Sequence, residues 1–201
     1  MIKAVILDND GVIVQTEVRR LAHLRKLLRK HSLALPNSLL NKQIGKQTKD
    51  FLKEVFAQKL SDSEIEAITK QRMKEFYNNI NKYAKPAKGL RKMCKELTNH
   101  GYKLAVASNS SRQYVERILN RFGIRKYFKA VISLNDVKHP KPNPEIYIKA
   151  AKKLRAKKDQ CLVVEDSTIG ITAAKKAGLK VAALKNRLYQ KHGYRVNYSE
   201  A

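Results

Sequence analysis

Five short apolar runs punctuate the chain: Lys3 to Leu7, Lys103 to Ala107, Ala130 to Ser133, Cys161 to Glu165 and Lys180 to Leu184. None alternates with polar residues as a half-solvated strand does, so all five are predicted to be strands buried on both faces. A helical stretch precedes each of the last four. Gly89 to Asn99 leads through His100-Gly101 into the second run, and Ser111 to Phe122 leads through Gly123 toward the third. Pro144 to Leu154, and then Gly170 to Ala177 closed by Gly178, complete the alternation. Strands alternating with helices predict an α/β fold, a Rossmann-like, doubly wound parallel sheet.

Between Gln15 and Ala84 the alternation stops and the pattern becomes helical throughout. Leu21, Leu24, Leu27 and Leu28 share one face of a helix over Val18 to Lys30. Further helices are predicted at Ser38 to Gln43, Lys49 to Leu60 and Ser61 to Asn79, the last opened by the capping-box sequence Ser61-Asp62-Ser63-Glu64. The block reads as an inserted all-helical domain, residues 15–84, within a core made of 1–14 and 85–201. Its return linker is Tyr83 to Gly89, rich in turn residues.

With 201 residues and 43% hydrophobic content, the chain can bury a core. The first apolar run is interrupted by Asp8 and Asp10, too early for a signal h-region or a membrane span, so a soluble, cytoplasmic protein with no membrane partner is expected. Cys94 and Cys161 lack the spacing of a zinc or redox pair and read as core residues. The 43 Lys and Arg against 17 Asp and Glu give a net charge of +26, which favours anionic partners. Because basic residues fall in almost every predicted helix, this reads mainly as a solvated surface, with nonspecific nucleic-acid binding at low salt as a second possibility. A monomer or weak dimer is expected.

Ligands bind an open parallel sheet at the carboxyl ends of its strands. The loops at that edge carry Asp8 and Asp10, then Ser108-Asn109-Ser110, then Lys141 in His139-Pro140-Lys141-Pro142-Asn143-Pro144, and finally Glu165-Asp166-Ser167. Each has a plain alternative. Asp-Asn-Asp-Gly is a good turn, Ser108 or Glu165-Asp166 could cap a helix, and Lys141 could be solvated. Together, in this order and on one edge, they suit phosphoryl transfer. A carboxylate can attack phosphorus, and Asp8 and Asp166 offer the hard oxygens that Mg²⁺ prefers. Lys141 adds positive charge, Ser108 and neighbouring N–H groups can hold phosphoryl oxygens, and Asp10 can serve as acid and base.

These motifs, with Asp8-Asn9-Asp10-Gly11-Val12 first and Gly170, Ala173-Ala174 and Ala177-Gly178 last, resemble the four motifs of the haloacid dehalogenase (HAD) superfamily. The likeness is greatest to the β-phosphoglucomutase and phosphoglycolate phosphatase branch, whose helical cap follows the first motif. The resemblance implies a Mg²⁺-dependent phosphatase of a small phosphorylated metabolite, working through an aspartyl-phosphate. It implies Asp8 as nucleophile, Asp10 as acid/base, Ser108, Asn109 and Lys141 around the phosphate, and Asp166 as metal ligand with Glu165 beside it. Magnesium would also take a backbone carbonyl of Asp10. Gln43 to Thr48 is similar to the branch's cap specificity loop, with Gly45, Lys46 and Thr48 as candidate contacts. Its basic character suits a substrate with a second negative group.

Three departures from the pattern stand out. Asn9 replaces an apolar residue and is expected to matter little, Gln15-Thr16-Glu17 replaces Asp-Ser-Glu, and the segment Asn186 to Ala201 is basic and carries three tyrosines. Two other functions use the same residues: a phosphomutase, and a nucleic-acid-binding module that has no enzymatic role. Dehalogenation fits least, because it has no use for Asp10.

Overall fold

The computed structural model describes residues 1–40, 43 and 46–185. The expected parallel sheet is present, with strands β1 (Ala4–Leu7), β4 (Lys103–Ala107), β5 (Phe128–Ile132), β6 (Cys161–Glu165) and β7 (Lys180–Ala183) in the order β5-β4-β1-β6-β7. All four pairings are parallel, and the register of β1 against β4 and β6 sets Leu7 beside Val106 and Val164. Successive side chains of β1 pack on opposite faces. Val5 and Leu7 join one buried cluster with Leu90 and Cys94 of α6 (Leu90–Asn99) and Val115, Ile118 and Leu119 of α7 (Arg112–Arg121). Ala4 and Ile6 join another, with Ile146, Tyr147 and Ala150 of α8 (Glu145–Leu154) and Ala173 and Ala174 of α9 (Thr168–Lys176). Both cysteines are buried and unpaired, as expected.

Among the described residues, five α-helices precede α6 in the block inserted after β1: α1 (Glu17–Lys30), α2 (Asn37–Leu40), α3 (Thr48–Phe56), α4 (Asp62–Asn78) and α5 (Ile80–Tyr83). The four leucines of α1 are buried against Phe51, Leu52 and Phe56 of α3 and Ile65 and Ile68 of α4, a separate apolar cluster. Each buried leucine contributes about 1.5–3 kcal/mol by removal from water. Ser61 does cap α4, its hydroxyl accepting from the Glu64 N–H while Glu64 reaches back to the Ser61 N–H at 2.8 Å.

The sequence pattern gives no sign of the ribbon that joins the two parts. Strands β2 (Val14–Gln15) and β3 (Lys85–Pro86) pair antiparallel where a plain linker is expected. Two residues per strand are too few to show a period. Among the described residues, no helix is long and apolar enough to cross a membrane. The basic segment from Asn186 onward lies outside them.

Candidate active site

Asp8 follows directly on the central strand β1, and the chain then turns tightly: the Asn9 carbonyl accepts from the N–H groups of Ile13 and Val14, both at 2.9 Å. Gly11 makes the turn at φ +92°, and a Cβ there would lie 1.7 Å from Asp166 Oδ2, so only glycine fits. The loop after β6 is packed as closely. A Cβ on Gly170 would lie 1.8 Å from Glu165 Oε1.

Lys141 joins these loops from below the pocket. Its buried Nζ donates to Asp8 Oδ1 at 2.7 Å, Glu165 Oε1 at 2.6 Å and the Ala107 carbonyl at 2.9 Å, using all three ammonium protons, and it sits 4.8 Å from the Tyr147 ring centroid. The two carboxylates hold its pKa well above the usual lysine value despite burial. Asn109 fixes the loop itself, its amide accepting from the Lys141 N–H at 2.9 Å and donating to the Lys141 carbonyl at 3.2 Å. A phosphate contact from Asn109 therefore falls to its main chain.

Glu165 is a bracket. Oε1 accepts from Lys141 and from the Tyr147 hydroxyl at 3.0 Å, while Oε2 accepts from the N–H groups of Asp166 and Ser167 and from the Ser167 hydroxyl, each at 2.9 Å. Burial opposes its ionisation, but Lys141 and these donors hold its pKa below the ordinary glutamate value. Asp8 is pushed up to about 8, first by burial and then by the nearby Glu165 charge, against the pull of Lys141. Asp8, Glu165 and Asp166 each place an oxygen within 4.8 Å of the others. The buried cluster fits a metal site: with Glu165 committed to five donors, Asp8 and Asp166 supply the hard oxygens, and a divalent cation there would offset the cost that burial places on ionised Asp8.

Asp10 points elsewhere, toward the helical block. Oδ1 accepts from Thr16 Oγ1 and the Tyr114 hydroxyl, both at 2.9 Å, and lies 3.0 Å from Arg20 Nη1; Oδ2 accepts from Ser110 Oγ at 2.8 Å and Asn9 Nδ2 at 3.1 Å. Burial works against ionisation, yet Arg20 and these donors lower its pKa below the ordinary aspartate value. The Asn9 side chain is thus not idle, contrary to expectation: it is fully buried, donates to Asp10, and its Oδ1 has no partner among the described residues. Arg20 and Tyr114 stand in none of the sequence motifs, whereas Thr16 lies in the Gln15-Thr16-Glu17 departure just before α1.

Ser108 is buried and accepts from the Ser110 N–H at 3.1 Å, while Ser111 caps α7 and Ser167 caps α9, so neither Ser108 nor Glu165-Asp166 serves as the cap. One pocket of about 300 Å³ contains Asp8, Asp10, Ser108, Lys141 and Asp166 on the sheet side. The inserted block contributes Arg20, Lys46, Thr48, Lys49, Arg72 and Tyr77. Buried Arg72 donates to Thr48 Oγ1 and the Arg20 carbonyl, and Lys46 pairs with Glu54. Gly45 lies outside the described residues.

The match to the family model described as haloacid dehalogenase-like hydrolase runs over residues 5–184. The chain belongs to this family. Among its relatives are YhcW of Bacillus subtilis, which carries a phosphatase name and is 32% identical over 94% of this chain and 86% of its own, and the phosphorylated carbohydrates phosphatase of Thermotoga maritima, 28% identical over 89% and 82%. The crystal structure of β-phosphoglucomutase from Clostridium difficile superposes with a TM-score of 0.81 at 24% identity, covering 95% of this hydrolase and 88% of that chain. At that identity the likeness speaks for the fold alone.

Proposed function

We propose that this hydrolase is a Mg²⁺-dependent phosphatase of a small phosphorylated metabolite, with Asp8 as nucleophile and the helical block 15–84 as its cap. One observation carries the reading: buried Asp8 stands between Lys141 and Asp166 on the floor of a pocket that the helices roof. The phosphatase names of the family relatives support it.

Asp8 attacks phosphorus, an oxygen–phosphorus bond forms, and the bond to the leaving oxygen breaks, giving an aspartyl-phosphate that water then cleaves. Asp8, Asp166 and the Asp10 carbonyl would hold magnesium, whose positive charge would let two anions approach. Lys141 binds the phosphoryl group by exchanging one of its three contacts, and Ser108 and the Asn109 N–H orient it. Asp10, ionised in this arrangement, suits the base that takes a proton from water. Donating a proton to the leaving oxygen requires Arg20 to withdraw. Lys46 and Thr48 face the leaving group.

Phosphate release from an aryl phosphate, with and without Mg²⁺ and in wild type and Asp8→Asn, tests the reading. Metal-dependent turnover lost in the variant supports it. Turnover retained in Asp8→Asn contradicts it, and isomerisation of a sugar phosphate with a bisphosphate activator, without phosphate release, would move the assignment to a phosphomutase.

A further inference from the structure

A second cleft, about 830 Å³, runs along the outer edge of the sheet beside β5 and shares no residue with the pocket. Seven of its eleven lining residues are Lys or Arg, and the single acid is Asp136. Three of the cations are spoken for: Arg112 pairs with Asp136 at 2.7 Å, Arg125 with Glu116 at 2.6 Å and Lys149 with Glu145 at 2.6 Å. The other four, Lys129, Lys152, Lys153 and Arg155, are exposed and have no side-chain partner among the described residues. Four uncompensated charges along one concavity repel each other unless an anion lies among them.

The cleft's own chemistry selects the kind of anion. An acidic peptide would add to the edge as a strand, but the β5 carbonyls of Val131 and Phe128 already accept from Arg112 at 3.0 Å and Arg125 at 2.9 Å. Single-stranded nucleic acid is held by stacking on aromatic rings, and no aromatic residue lines the cleft. A bilayer is flat, and this surface is concave. A rod with phosphates on its outside and its bases enclosed meets every condition.

We propose that this cleft binds the backbone of double-stranded nucleic acid, without sequence preference, through Lys129, Lys152, Lys153 and Arg155. Four phosphate contacts give a salt slope of about −3.6, an affinity loss of about 10²-fold between ~50 and ~200 mM salt. The distributed +26 charge adds attraction elsewhere, so the test must separate place from total charge.

The experiment titrates a fluorescent duplex of random sequence into three proteins across a salt series. These are the wild type, a cleft variant with those four residues changed to Gln, and a control variant with exposed Lys88, Arg91, Lys92 and Lys95 changed to Gln. Aryl phosphate turnover, or thermal unfolding if there is none, shows that all three are folded. The cleft variant is expected to lose about 3.6 from the magnitude of the salt slope, so that about 10²-fold of the wild-type affinity change between ~50 and ~200 mM salt disappears, with the control close to wild type. Equal losses in the two variants, no salt-dependent binding in the wild type, or cleft-dependent binding that is tighter for single strands, an acidic peptide or anionic vesicles would overturn the proposal.

Discussion

The floor and the roof of the pocket are both lined with charge, yet they are built in opposite ways. On the floor, Asp8, Lys141 and Glu165 are buried, come from three different strand ends, and are tied by bonds of 2.6 and 2.7 Å. In the roof, Lys49 pairs with Glu66 at 2.9 Å, both side chains partly in solvent. Buried charges without partners are costly, so the floor tolerates little change, whereas exposed pairs contribute about 0–1 kcal/mol and can rearrange. Under the proposed function, the chemistry would rest on the rigid part, and the part that would meet the leaving group is the more adaptable one.

The sharpest way to break the floor is Gly170→Ala. Alanine favours helices, but its Cβ would meet Glu165 Oε1 at 1.8 Å, so thermal unfolding should show a loss of about 3 kcal/mol. An unchanged midpoint would mean that the bracket is soft. Asn9→Leu works in the other direction. Removing a buried carbonyl that has no partner should raise stability by about 1 kcal/mol despite the lost bond to Asp10, read as a higher denaturant midpoint with unchanged slope.

In the roof, Lys49→Ala should shift stability by less than about 0.5 kcal/mol. Any effect there belongs in KM for the metabolite and not in the melting curve. The smallest effect is expected outside the pocket, at Glu145, whose pKa is depressed to about 2, first by Lys149 and then by the His139 N–H. A lowered carboxylate pKa stabilises the fold above its ordinary value of 4.5, and that contribution fades as pH falls toward 2. Glu145→Gln should therefore lower the melting temperature slightly at neutral pH, leave it unchanged at the acid end, and so flatten the limb between the two.

How far the sequence revealed this molecule depended on range. Strand and helix positions were legible because Val5, Leu7, Leu104 and Val106 lie in unbroken apolar runs, and the α1 leucines keep a helical period. The acidic and basic motifs at the sheet edge were legible because each falls just after a strand. What binds Asp10 was not, since Tyr114 and Ser110 are about a hundred residues away in sequence, and Tyr114 sits in no recognisable motif. The commitment of Glu165 and of the Asn109 amide to holding Lys141 likewise becomes visible only when the loops are brought together.

The central claim is that Asp8 becomes covalently phosphorylated. Acid-quenching the enzyme during turnover of an aryl phosphate with Mg²⁺, followed by mass mapping of its peptides, tests this directly. A phosphoryl group on Asp8, absent in Asp8→Asn and lost on return to neutral pH, is the predicted result. Turnover with no phosphorylated peptide, or with the group on any other residue, would contradict the account.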